Sequence, residues 1–234
     1  MQFIDLAKQQ SLIKTNLDKR IQDVLAHGKY IMGPEIKEME AQLAEYVGVK
    51  HCVSCSSGTD ALLMPLLAWD VGPGDAVFTT PFTFIATAEV IQLLGATPIF
   101  VDIDPKTYNI SPELLDDAIT EVIEKGELNP KVIIPVDLFG LPADYAAIEL
   151  ISKKYDIKIL EDAAQGFGGQ IDDRLAGSFG DAASTSFFPA KPLGCYGDGG
   201  AIFTDDDELY EKLVSVRVHG KGGDKYDNVR IGLN

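Results

Sequence analysis

The run Val132-Ile133-Ile134-Pro135-Val136 is apolar at every position. A strand turns successive side chains to opposite faces, so a run of this kind has both faces covered, which implies a mostly parallel sheet with helices on either side. Outward from it, β-rich runs at 51–55, 76–80, 97–101, 158–161, 183–187 and 200–204 alternate with helical patterns at 59–68, 84–94, 112–123, 145–155 and 206–218. The alternation predicts a large α/β domain over 49–234. Two further helices come first, one over 12–27 ended by Gly28 and one opened by Gly33-Pro34 and running to about residue 46. Residues 1–48 are thus expected to form an N-terminal helical segment packing on the large domain.

The chain has 234 residues, 46% hydrophobic and 24% charged, which is enough apolar content for one sizeable core. A formal net charge of −16 repels polyanions, so nucleic acid and anionic membranes are poor partners. No apolar run reaches the roughly 20 residues of a membrane span, and Met1-Gln2-Phe3-Ile4-Asp5 lacks a basic segment followed by an apolar one; a cytoplasmic protein is expected. Cys52, Cys55 and Cys195 are too few for a disulfide framework. Cys52 and Cys55, three apart in a strand-like run, face opposite sides and have no second pair or His cluster to complete a zinc site, so no metal is expected. The end, Asn228-Val229-Arg230-Ile231-Gly232-Leu233-Asn234, has neither terminal helix nor polar tail, and a smaller C-terminal domain outside this chain is expected.

Ligands of parallel sheets bind at the carboxyl ends of strands, and four such ends carry candidate groups. Ser56-Ser57-Gly58-Thr59 precedes a helix, where small residues, free N–H groups and a hydroxyl suit a phosphate; an ordinary helix cap is the competing account. Glu161-Asp162-Ala163-Ala164-Gln165 follows an apolar strand, so Asp162 needs a cationic partner or several donors; a protonated pyridine nitrogen would serve, as would a metal or a cap. Pro81-Phe82-Thr83-Phe84 offers an aromatic face, or simple core packing. Ser186 precedes Lys191, which sits in Pro189-Ala190-Lys191-Pro192-Leu193-Gly194. A lysine in an apolar frame favours the free amine that attacks a carbonyl, although its stem could also lie along the surface with its head in water. Together a phosphate cradle, an aromatic, an acid and a shielded lysine specify pyridoxal 5′-phosphate.

In their order the motifs Ser57-Gly58-Thr59-Asp60-Ala61-Leu62, Pro81-Phe82-Thr83-Phe84-Ile85-Ala86-Thr87, Glu161-Asp162-Ala163-Ala164-Gln165 and the run from Ser186 to Gly200 resemble the DegT/DnrJ/EryC1/StrS family of nucleotide-sugar aminotransferases. The N-terminal Phe3-Ile4-Asp5-Leu6, the turn Tyr30 to Glu35, and the segment from Arg217 to Asn234 fit the family too. The resemblance implies a fold-type I pyridoxal phosphate enzyme. Lys191 would hold the cofactor as a Schiff base and shuttle the proton; Asp162 would pair with the pyridine nitrogen, and Gln165 would lie against the ring. Gly58, Thr59 and Ser186 match the phosphate positions, and Phe84 matches the stacking aromatic. Asn234 matches an asparagine reaching the neighbouring subunit's cofactor phosphate, which implies a homodimer with shared sites. Ala190 departs from the hydroxyl residue often found there.

The implied reaction moves an amino group from glutamate, leaving 2-oxoglutarate, to a keto group of a nucleotide-linked sugar. The stretch from Lys191 to Gly200 looks most like members acting on UDP-linked 3-keto uronic acids in surface-polysaccharide or O-antigen pathways; enzymes for 4-keto-6-deoxy sugars differ little there. Three alternatives stand beside it. Sugar dehydration would replace the lysine by histidine, desulfuration would need a mobile cysteine that rigid Cys195 does not supply, and a non-catalytic module would hold the cofactor without turnover.

Overall fold

The computed structural model describes residues 4–224 and 226–234; Met1, Gln2, Phe3 and Lys225, and with Phe3 the start of the N-terminal motif, lie outside them. The seven-stranded sheet is built from β1 (His51–Cys55), β2 (Asp75–Thr79), β3 (Thr97–Phe100), β4 (Asn129–Ile134), β5 (Lys158–Asp162), β8 (Ala182–Ser186) and β9 (Gly200–Thr204). Their order is β1-β9-β8-β5-β4-β2-β3, and β9 alone opposes the other six. The carboxyl ends of β1, β2, β5 and β8 therefore share one edge.

Both faces of the sheet are buried. Val132, Ile134 and Leu160 pack with α3 (Gly58–Ala68), α4 (Ala86–Leu93) and α7 (Asp207–Val216), while Ile133 and Ile159 pack with α5 (Pro112–Lys125) and α6 (Tyr145–Tyr155). This is the two-sided covering that the apolar run at 132–136 predicts. The strand itself ends at Ile134, because Pro135 has no N–H to give the ladder; its carbonyl accepts from Asp162 N–H at 2.9 Å, and one bridge, Val136 to Asp162, follows.

The helix bounds shift for local reasons. The helix expected from Phe84 starts at Ala86, and the one expected from Asp206 starts at Asp207, whose predecessor caps it by accepting from Glu208 and Leu209 N–H. α1 (Leu6–His27) starts six residues earlier than its apolar spacing indicates, since Asp5 accepts from Lys8 N–H at 2.9 Å. A small hairpin, β6 (Gln170–Ile171) and β7 (Arg174–Leu175), is too short to leave a periodic signal.

In the N-terminal segment, α2 (Pro34–Val47) buries Leu43, Ala44 and Val47 against Cys52, Phe187 and Phe203. Glu40 of α2 also accepts from Ser54 N–H and Oγ on β1, at 2.8 and 2.7 Å, and from Arg217. α1 has no buried residue, and Leu12, Ile21 and Leu25 are exposed.

Candidate active site

A cavity of about 490 Å³ lies at the shared carboxyl edge, lined by Gly58, Thr59, Phe84, Asp162, Gln165, Ser186 and Lys191, with Thr83, Thr87, Phe188 and Asp198 among its other walls. Four strand ends, from Cys55 of β1 to Ser186 of β8 and separated by up to 131 positions of sequence, thus converge on one space. Asn234 does not join them; it is exposed at the chain end.

One end of the cavity is the start of α3. Ser57 caps that helix by accepting from Asp60 N–H at 3.0 Å, while the first N–H groups of a helix have no partner within it and carry its positive dipole. Gly58 is required by close approach. A Cβ there would stand 2.5 Å from Ser186 Cβ, so α3 and β8 can meet in this way only over a glycine. The result is a cradle of backbone N–H groups with the hydroxyls of Thr59 and Ser186, the donor set that a phosphate takes.

Asp162 lies at the centre, 5% exposed, at the last position of β5. Its Oδ2 accepts from Thr87 Oγ1 at 2.9 Å and its Oδ1 from Ala164 N–H at 3.2 Å. Burial pushes its carboxyl above the usual value, opposed by the Thr87 hydroxyl, the Ala164 N–H and the charge of Lys191. A buried carboxylate with two donors and no cation in contact suits a cationic ring nitrogen. Phe84 precedes α4 and presents an exposed ring to the cavity, as a stacking residue must. Gln165 Oε1 accepts from Phe139 N–H at 3.2 Å, which leaves its amide N–H groups for a ligand.

Lys191 is half-buried, not buried as its apolar frame predicts, because the turn carrying it lies on the open edge of the sheet with Ala190, Pro192 and Leu193 exposed. That turn is fixed: Lys191 N–H donates to Phe188 carbonyl at 2.8 Å, and a Cβ at Gly194 would stand 2.4 Å from Pro189 O. The Lys191 side chain has no hydrogen bond or ion pair among the described residues, and it lines the same cavity as Asp162. An unpaired lysine, an acid, a flat aromatic and a phosphate cradle around one cavity fit pyridoxal 5′-phosphate.

The sequence profile of the DegT/DnrJ/EryC1/StrS aminotransferase family matches residues 11–234. The chain belongs to that family. It is 51% identical, over its whole length, to a UDP-2-acetamido-2-deoxy-3-oxo-D-glucuronate aminotransferase of Pseudomonas aeruginosa, of which it covers 63%. Its fold is similar, with a TM-score of 0.99 and 56% identity, to a DegT DnrJ EryC1 StrS aminotransferase of Brucella abortus, over 100% of this chain and 63% of that one. A Bacillus subtilis protein, NtdA, solved with bound cofactor PMP, gives a TM-score of 0.84 at 34% identity, over 98% and 50%. The chain thus spans less than two thirds of the length of these relatives.

Thr87 is a site residue that sequence reasoning missed. It lies within the family motif Pro81 to Thr87, and its place in the first turn of a helix at a strand end was the available signal. Asp198, in the glycine-rich run before β9, was missed because nothing local separates it from a solvent-facing turn acid. Cys52 and Cys55 do pack into different clusters on the two sides of β1. Burial pushes both thiols up, that of Cys55 to about 12, and no group of metal ligands occurs among the described residues.

Proposed function

We propose that this chain is the cofactor-binding part of an aminotransferase that moves an amino group from glutamate to the keto carbon of a nucleotide-linked sugar, a UDP-linked 3-keto uronic acid. One observation carries it: the unpaired Lys191 side chain and the buried Asp162 carboxylate line one cavity that also holds the phosphate cradle at Gly58. The choice of sugar is supported by the 51% identity to the Pseudomonas aeruginosa enzyme. No helix among the described residues is long and apolar enough to cross a membrane, in keeping with a cytoplasmic location.

Bound pyridoxal 5′-phosphate supplies an electron sink for the carbanion that forms when an amino acid loses its α-proton. Lys191 Nζ would hold the cofactor covalently and, when free of it, would act as the base that accepts the donor's α-proton and returns it to complete the transfer. Asp162 would keep a proton on the ring nitrogen, with Thr87 and Ala164 fixing its two oxygens. The N–H groups at Gly58 and Thr59 and the Ser186 hydroxyl anchor the phosphate, and Phe84 covers one ring face. The exposed Asn234 is assigned to a partner subunit's cofactor phosphate in a homodimer.

Single-turnover assay of the amine-loaded full-length protein against UDP-, dTDP- and GDP-linked keto-sugars tests the reading. Turnover confined to a UDP-linked 3-keto uronic acid is the expected result. A response only to 4-keto-6-deoxy sugars would move the assignment to that class, and silence across the panel would remove it.

A further inference from the structure

Two carboxyl groups that the reaction does not use lie behind Asp162. Asp137 follows the end of β4 and Glu161 is the penultimate residue of β5; both are 0% exposed. Every donor around them is accounted for. Asp137 Oδ1 accepts from Ala143 N–H at 3.0 Å and Tyr145 OH at 2.8 Å, while Glu161 Oε1 and Oε2 accept from Gly177 N–H at 2.6 Å and Phe179 N–H at 2.8 Å. Asp137 Oδ2 is buried and has no partner. Gly166 presses against it, since a Cβ there would stand 2.8 Å from Oδ2, so little space for water remains on that side.

The two acids face each other within hydrogen-bonding reach, and the other ionisable groups facing them are Tyr145 and Asp162. Among the described residues no cation neutralises them: Arg174, on the hairpin packed here, stacks on the Phe179 ring and pairs with Glu149. Two ionised carboxylates buried in contact without a cation are strongly unfavourable, whereas one proton between them satisfies the orphaned oxygen and removes a charge.

We propose that Asp137 and Glu161 share a single proton, the Glu161 carboxyl donating to Asp137 Oδ2, and that this bond clamps the ends of β4 and β5 so that Asp162 is held facing the cavity. The backbone carries the clamp onward. Asp137 N–H donates to Asp162 carbonyl at 3.0 Å, and Asp162 N–H returns to Pro135 carbonyl. Asp137 and Glu161 are thus positioning residues acting through Asp162; only that last link rests on the functional reading above.

The two conservative variants separate the shared proton from mere packing. Asp137→Asn keeps the acceptor for Ala143 and Tyr145 and offers Glu161 an N–H donor; Glu161→Gln offers Asp137 Oδ2 an N–H donor but leaves either the Gly177 or the Phe179 N–H without its acceptor, so it costs more stability. Neither variant needs the proton. Burial and the facing Asp137 hold the Glu161 carboxyl well above its usual range, so the native state keeps a proton that the unfolded chain releases. The sign follows: once pH rises above the unfolded glutamate value of about 4.3, the pair's contribution to wild-type stability falls, by up to about tenfold in the unfolding constant per pH unit, and both variants are flatter by that factor.

The experiment uses the full-length protein, with and without cofactor. Infrared spectra at neutral pH should show a protonated carboxylic carbonyl band in the wild type that Asp137→Asn and Glu161→Gln lack, together with the flatter stability profiles. If the variants do not fold, the wild-type band and its shift in deuterium oxide decide alone. No such band in the wild type, or one that both folded variants retain, overturns the shared proton. The cofactor-free result stands whether or not the cofactor reading survives.

Discussion

Thr87 Oγ1 donates to Asp162 Oδ2 at 2.9 Å, tying the first turn of α4 to the last residue of β5 across the floor of the cavity. Ionised Asp162 is the form that pairs with a protonated ring nitrogen, and burial makes that form costly. Replacing Thr87 with Val removes a hydrogen bond to a charged group, which is worth about 1.5–3 kcal/mol, so cofactor affinity should fall by roughly tenfold or more. Because the Asp162 carboxyl rises further without this donor, the loss of binding on acidification should move to higher pH. Titration of cofactor binding by the two proteins from neutral to acid pH checks both; superimposable curves would remove Thr87 from the site.

Gly58 tests the cradle. Its substitution by Ala puts a Cβ 2.5 Å from Ser186 Cβ, and the overpacking should cost about 1–3 kcal/mol of stability and weaken binding of inorganic phosphate as well as of the cofactor. Adding Ser186→Gly removes the struck atom and should recover part of the stability while leaving the phosphate loss. Denaturant unfolding and phosphate titration of the single and double variants report the two effects separately.

The two-sided sheet makes a simple prediction of its own. Ile133 is fully buried against α5 and α6, so its replacement by Ala should cost about 2–5 kcal/mol, read as a lower denaturation midpoint with little change in the shape of the cavity edge. A cost within error of zero would contradict the packing.

Thiol chemistry gives a check independent of the cofactor. Burial pushes the Cys55 thiol to about 12 and that of Cys52 higher, so neither should be alkylated in the folded protein at neutral pH. Both should react once the chain is unfolded. Mass mapping after a short iodoacetamide pulse distinguishes the states; rapid native labelling of Cys52 would count against its burial in β1.

Much of this was legible in the chain because it is local. The apolar run at 132–136 declares a two-faced strand, and Gly28 and Asp206 mark helix ends that the backbone follows. The convergence of Gly58, Phe84, Asp162 and Lys191 was legible only through their shared place at strand carboxyl ends, since no sequence spacing encodes it. What escaped was relational. The half-exposure of Lys191 follows from its turn lying on an open edge, and the bond from Thr87 to Asp162 joins residues 75 positions apart. The acid pair of Asp137 and Glu161 sits in runs that read simply as strand ends, and only their burial face to face makes them informative.

The central claim is that Lys191 carries the cofactor. Its most direct test is borohydride reduction of the purified protein with added pyridoxal 5′-phosphate, followed by peptide mass mapping of wild type and Lys191→Ala. The account predicts one cofactor fixed per chain on the peptide containing Lys191, and none in the variant. Fixation on another lysine, or equal fixation in both proteins, would contradict it.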